Sequence, residues 1–226
     1  MRYAARVVDA SVNLRPTSAG HRPVGGMPKR VFDIVAAAAA IALLSPLFAM
    51  LALLVKASDP GPVFYGHRRI GRNGNVFYCL KFRTMVVNGD EVLARHFVEH
   101  PSARKEWLAT RKLQRDPRVT RVGQVLRKLS LDELPQVFNI LIGHMSVVGP
   151  RPVVKDELEM YGQAADCYLR SRPGLTGLWQ VSGRNDVSYG TRVAFDQHYV
   201  ENWSFLADIK IIVLTVPAIL ASRGSY

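Results

Sequence analysis

The sequence is poor in acid, in cysteine and in metal-spaced side chains. It carries 18 Asp/Glu against 30 Lys/Arg in 226 residues, a formal net charge of +12. A surface so basic invites anionic lipid, phosphorylated substrates or nucleic acid. The only cysteines, Cys79 and Cys167, stand far apart. They offer no disulfide framework and no metal spacing, which suits a reducing cytosolic face. His67, His96, His100, His144 and His198 also lack metal-site spacing. Gly71-x-x-Gly74 has no Rossmann unit around it and reads as a turn. No internal repeat is present, and the length suits one domain with a membrane element and a short tail.

Polar side chains are scarcest from Val31 to Val55, where only Asp33 and Ser45 interrupt an apolar run and Pro46 sits just past the middle. About 20 such residues match the hydrocarbon core of a bilayer. A helix buried in a soluble domain normally keeps a polar stripe, so that alternative is the weaker one. The run also exceeds the apolar region of a cleaved signal peptide. Both flanks are basic: residues 1–30 hold six Lys/Arg against one acid, and residues 56–226 hold 24 against 16. A straight span would place one basic flank outside. A helix bent at Ser45-Pro46 would enter and leave on one face. Pro46 removes a backbone donor and kinks helices, and the Ser45 hydroxyl is a candidate partner for the freed carbonyl. The charges favour the re-entrant helix over the full span.

Three segments follow: a mobile basic tail (1–28), a membrane helix (29–56) and a cytosolic domain (57–226). Val63-Phe64-Tyr65 and Val76–Phe82 read as strands of a hairpin around Gly71–Asn75. Helices are expected over 89–114 with an interruption near Pro101, and over 120–129, 131–142, 155–169 and 191–201. Residues 171–190 read as a Gly-, Pro- and Arg-rich loop. Phe205 to Leu220 is too short to span comfortably and should lie at the interface or on the core.

Chemistry concentrates at Ser130-Leu131-Asp132-Glu133-Leu134-Pro135-Gln136. With Pro135 in the first turn, the two carboxylates fall at a helix start. Ser130-x-x-Glu133 fits a capping box, a purely structural role. The alternative is that Asp132 is a nucleophile on phosphorus, splitting one transfer into two steps. Glu133 would then help to hold a divalent metal. Arginines stand beside Gly and Pro: Arg127, Arg151 in Gly149-Pro150-Arg151-Pro152, Arg172 in Arg172-Pro173-Gly174-Leu175-Thr176-Gly177, and Arg184 in Ser182-Gly183-Arg184-Asn185. Guanidinium forks on rigid loops suit phosphate. A solvated or headgroup-facing basic surface is the plainer reading of any one of them. Lys81 and Arg83 alternate with Phe82 on a strand, which would put both cations on one face.

Taken together, Lys29-Arg30-x-x-Asp33, Ser45-Pro46, Lys81-Phe82-Arg83-Thr84-Met85, Leu129 to Gln136 and the Gly-Pro-Arg motifs resemble the bacterial sugar transferases that prime glycan assembly on polyprenyl phosphate, the monotopic phosphoglycosyl transferases. The likeness runs from Lys29 to about Leu220. Within the family it is nearest to members that start succinoglycan-type exopolysaccharide with galactosyl phosphate. The resemblance implies a mainly α fold with a small β-hairpin (α+β), and a membrane-embedded re-entrant helix packed on a cytosolic catalytic domain at the bacterial inner membrane. It implies transfer of a sugar 1-phosphate from a UDP-sugar to undecaprenyl phosphate with release of UMP, galactose being favoured and glucose the close rival. Asp132 becomes the nucleophile and Glu133 its partner, with Mg²⁺ at the pair. Arg127, Arg151 and Arg184, with Lys81 and Arg83, bind phosphate. Anionic lipid and downstream glycosyltransferases are the further partners implied. A non-catalytic basic adaptor, the distant alternative, would bind nucleic acid with steep salt dependence. Carboxylates beside a phosphate-binding loop do not suit that role, and no nucleic acid is expected.

Overall fold

The computed structural model describes residues 23–110, 112–182 and 187–220. Helix α1 (Gly26–Ser58) leads into an antiparallel hairpin, β1 (Phe64–Ile70) and β2 (Val76–Phe82). Helices α2 (Gly89–Glu99) and α3 (Pro101–Thr110) break at Pro101, and α4 (Arg121–Lys128) and α5 (Gln136–Ile142) flank the acidic turn. The order continues with β3 (Ser146–Val148), α6 (Lys155–Glu159), α7 (Ala165–Arg170), β4 (Gly174–Thr176), α8 (Leu178–Ser182), α9 (Tyr189–Glu201) and α10 (Phe205–Leu220). The chain is mostly helical with a small hairpin, and α1 is long and apolar enough to cross a membrane. Most of the expected tail lies outside the described residues, and α1 begins within it, at Gly26.

The hairpin pairs from Phe64↔Phe82 to Ile70↔Val76. It therefore extends β1 well past the apolar residues 63–65, through His67, Arg68 and Arg69, because a ladder exposed on one side tolerates polar side chains. Its turn closes through Asn73 at φ 59, a residue type that accepts the left-handed region.

Two expectations fail for physical reasons. The helix expected over 155–169 is three pieces, because Gly162 at φ 52 interrupts it. The loop expected over 171–190 contains β4 and α8, and β4 pairs in parallel with β3 (Ser146↔Gly174, Val148↔Thr176). That second sheet is held by close backbone approach. The Gly149 amide donates to Thr176 O at 2.9 Å and the Gly174 amide to Pro150 O at 2.8 Å. A Cβ on Gly149 or Gly174 would overlap the facing backbone.

Helix α1 is buried at both ends and bare between them. Lys29, Asp33 and Ala37 are buried in its first half, Leu51 and Val55 in its second, and nothing from 38 to 46 is buried. Its two internal charges near the start are both satisfied, as burial demands. Lys29 Nζ lies 2.6 Å from Asp208 Oδ2 of α10, and Asp208 also accepts from the Tyr199 hydroxyl and the Trp203 indole. Asp33 Oδ1 accepts from Ser146 Oγ and the Val147 amide. Arg30 donates to Ile140 O and Leu141 O, the last carbonyls of α5. In the second half, Phe48 meets the rings of Phe82 and Phe138, and Leu51 and Val55 pack with Phe82 and Leu126. Both halves thus rest on α5 and its neighbours.

Candidate active site

Asp132 and Glu133 occupy a single 3-10 turn, Leu131–Glu133, between α4 and α5. They do not open α5, whose N-cap position is taken by Pro135. Ser130 makes no side-chain cap, so the capping-box reading is overturned. Instead Ser130 adopts φ 55, one of two non-glycine residues with positive φ among those described. Such backbone states collect where function over-determines the geometry. The kink at Ser130 brings the turn against β2, and there both carboxylates meet one ammonium. Lys81 Nζ lies 2.6 Å from Glu133 Oε1 and 3.6 Å from Asp132 Oδ2.

The two carboxylates differ in surroundings. Asp132 is buried whereas Glu133 is partly open to solvent. Burial raises the Asp132 carboxyl above its ordinary range; Lys81 opposes this, Glu133 adds to it, and Arg127 opposes it. Burial alone would lower the Lys81 ammonium, but the carboxylates of Glu133 and Asp132 outweigh it and the net shift is upward. Lys81 is therefore a fixed cation that favours ionised Asp132. Arg127, on α4, is held by donation from Nε to Thr84 Oγ1 at 2.9 Å. Helix α4 is seated by its Thr120 cap on the Gly123 amide at 2.9 Å. A Cβ on Gly123 would overlap the Thr84 carbonyl, so only glycine allows this approach.

The remaining candidates separate. Lys81 and Arg83 serve different partners: the Arg83 amide continues the hairpin ladder onto Val63 O at 2.9 Å, while its side chain is committed elsewhere. Arg83 pairs with Asp59 and donates to the Asp59 and Pro62 carbonyls, which ties down the turn after α1. Arg151 lies over the Trp179 ring at 5.6 Å, with Arg192 over the same ring at 5.0 Å. The backbone of Arg151 faces the carboxyl of Asp196, which accepts from the Tyr161 hydroxyl at 2.8 Å. Burial pushes that carboxyl up to about 7. No direct contact joins Arg151 to the carboxylate pair among the described residues, and Arg184 lies outside them. The structure thus joins Asp132, Glu133, Lys81 and Arg127, and it adds Thr84 as the residue that orients Arg127. Thr84 stands inside the Lys81–Met85 motif, a signal that could have pointed to it. Asp196, Trp179 and Arg192 carried none.

Residues 24–222 match the bacterial sugar transferase family. The chain belongs to that family. It is 63% identical over 226 residues, the full length of both chains, to the exopolysaccharide production protein ExoY of Rhizobium meliloti. It is 53% identical to an undecaprenyl-phosphate galactose phosphotransferase of Salmonella typhimurium, over 88% of this chain and 41% of that protein. It is 39% identical to a UDP-glucose:undecaprenyl-phosphate glucose-1-phosphate transferase of Escherichia coli, over 90% of this chain and 42% of that protein. The protein is a sugar transferase, and the paired carboxylates sit inside the matched region.

The chemistry of the donor set in this sugar transferase fits Mg²⁺. Two adjacent carboxylates supply hard oxygen donors, and Glu133 is open enough to reach an ion. Magnesium is ordinarily held by one or two carboxylates together with substrate phosphates and water. No group of three or more His, Cys, Asp or Glu side chains suited to a metal occurs among the described residues. Asp132 and Glu133 would therefore hold the ion jointly with a bound diphosphate.

Proposed function

We propose that this sugar transferase moves a sugar 1-phosphate, galactose 1-phosphate in the first instance, from a UDP-sugar to undecaprenyl phosphate, releasing UMP, as the first step in building an exopolysaccharide repeat unit. The observation that carries the reading is Asp132 itself: a buried carboxylate in the turn that follows the left-handed Ser130, flanked by Lys81 and Arg127. An Asp132 oxygen attacks the sugar-linked phosphorus. The bond from that phosphorus to UMP breaks and UMP takes the electron pair. An oxygen of undecaprenyl phosphate then attacks the same phosphorus and breaks the acyl phosphate bond, which restores the carboxylate. Arg127 stands close enough to Asp132 to act on its charge, as a group stabilising the transferred phosphoryl must. Mg²⁺, held by Asp132 and Glu133 with the diphosphate, would neutralise charge there. Arg151 and Arg184 are assigned to phosphate by the likeness of their motifs. Arg83 serves the site through the turn it holds.

The anchor is read as a re-entrant helix in the cytoplasmic membrane, with the domain on the cytosolic face. Arg30 and Phe48 both reach α5, which is seven residues or about 10 Å long. A straight helix would set positions 30 and 48 about 27 Å apart. The bare stretch 38–46 then forms the part deepest in lipid. Galactose is favoured because the name of the Salmonella relative carries it, and glucose is the rival because the name of the Escherichia relative does.

Purified full-length protein, undecaprenyl phosphate, Mg²⁺ and a panel of UDP-sugars test this. UMP release and label in lipid are expected with UDP-galactose. Turnover with UDP-glucose alone would overturn the sugar, and UMP release indifferent to the lipid would overturn the acceptor.

A further inference from the structure

Two arginines meet at the C-terminal end of α5, opposite the end that carries the carboxylates, and a third, Arg72, acts on one of them. Arg30 of α1 donates to Ile140 O at 2.7 Å and Leu141 O at 2.9 Å. Arg172, half-buried before β4, donates through Nε to Gly143 O at 2.9 Å. Its Nη atoms make no hydrogen bond among the described residues. Arg72, on the turn of the hairpin, makes no side-chain hydrogen bond or ion pair among them. Arg72 and Arg30 each lie close enough to Arg172 to repel it. The Arg172 guanidinium is lowered by burial, then by Arg72 and by Arg30. Among the described residues Asp33 is the carboxylate that acts on Arg172, and its Oδ1 is already engaged by Ser146 and Val147. Two positive charges are thus left unbalanced in a partly dry place.

The surroundings specify what balances them. Leu141 and Ile142, at the end of α5 that Arg30 and Arg172 hold, are exposed, and so are Met27 and Val31 beside Arg30. Cationic forks bordered by exposed apolar side chains match a phosphate that bears hydrocarbon chains. The acceptor's own phosphate is the wrong occupant, because it must touch the phosphorus carried by Asp132. The length of α5, about 10 Å, separates the two ends.

We propose that Arg30, Arg72 and Arg172 form a binding site for the phosphate of an anionic phospholipid, distinct from the carboxylate pair. The proposal rests on the reading of α1 as a membrane element. The bound headgroup neutralises the cluster and fixes the depth at which the first half of α1 meets the bilayer.

Native mass spectrometry of the full chain in neutral detergent tests it, with phosphatidylglycerol and phosphatidylcholine as probes. Wild-type protein should prefer phosphatidylglycerol. Arg72→Gln should weaken that binding roughly fivefold, and Arg72→Gln with Arg172→Gln by well over tenfold, while phosphatidylcholine binding stays unchanged. Arg72→Glu, at a side chain with no hydrogen bond or ion pair among the described residues, should weaken it further than Arg72→Gln and guards against misfolding of the double variant. Absence of a preference in wild-type protein would overturn the site, as would a preference that survives in Arg72→Glu. A raised KM for undecaprenyl phosphate with unchanged phosphatidylglycerol binding would show that the cluster serves the acceptor instead. Loss of wild-type protein from phosphatidylcholine vesicles altogether would instead contradict the membrane reading, a separate result.

Discussion

The Ser45 hydroxyl donates to the Ala42 carbonyl at 2.9 Å, the acceptor in α1 that Pro46, four residues on, cannot serve because it has no N–H. One residue causes the defect and its neighbour repairs it, within a stretch that has no protein around it. Ser45→Ala should leave that carbonyl bare and lower stability by about 1 kcal/mol, read as the thermal midpoint in nanodiscs. Pro46→Leu restores the donor and removes the reason to bend. A cysteine introduced at position 20 should then become labelled from the periplasmic side in Pro46→Leu but not with Pro46 in place. Labelling in both would contradict the re-entrant helix.

Lys81 sets the ionisation of the site. Burial raises the Asp132 carboxyl and Lys81 is the largest influence opposing it. Lys81→Met should therefore move Asp132 further up, so that the acid limb of the pH–rate profile shifts to higher pH. Near neutrality kcat/KM should fall at least about tenfold, the scale of one lost charged hydrogen bond. Lys81→Arg should recover part of the loss. An unmoved acid limb in Lys81→Met would contradict the role.

Gly123 tests how Arg127 is positioned. Alanine there must push α4 off the Thr84 backbone, and overpacking of this kind costs about 1–3 kcal/mol. Because α4 carries Arg127, Gly123→Ala should lower kcat as well as the thermal midpoint. Full activity in a correctly folded Gly123→Ala protein would mean that the Thr84–Arg127 bond is dispensable.

Asp196 gives the protein a pH dependence of its own. Its folded value of about 7 lies above the ordinary 3.8, so the folded chain holds a proton that the unfolded chain releases. The resulting stability is full below about pH 4 and is lost as pH rises through about 7. Asn keeps an acceptor for Tyr161 and cannot ionise. The thermal midpoint should fall more between pH 5 and pH 8 in wild-type protein than in Asp196→Asn, and equal slopes would contradict the assignment.

The parts of this molecule with a period or a long pattern were legible: the apolar run of α1, the hairpin, and the helices split at Pro101. What escaped was fixed by distant contact. Strands β3 and β4 are three residues each and pair only because Gly149 and Gly174 let two backbones touch. The Lys29–Asp208 ion pair joins residues 179 positions apart. The carboxylates themselves were legible, but their turn was not, since the left-handed state of Ser130 has no sequence signature. Arg83 shares a motif with Lys81, yet its ion pair is with Asp59, 24 positions away, which no local pattern shows.

The most direct measurement is the intact and peptide mass of the protein incubated with UDP-galactose and Mg²⁺ in the absence of lipid acceptor, where only the first transfer can occur. A hexose phosphate adduct is expected on the peptide containing Asp132, absent from Asp132→Asn and discharged when undecaprenyl phosphate is added. UMP release with no adduct on that peptide, or an adduct that persists in Asp132→Asn, would contradict the account.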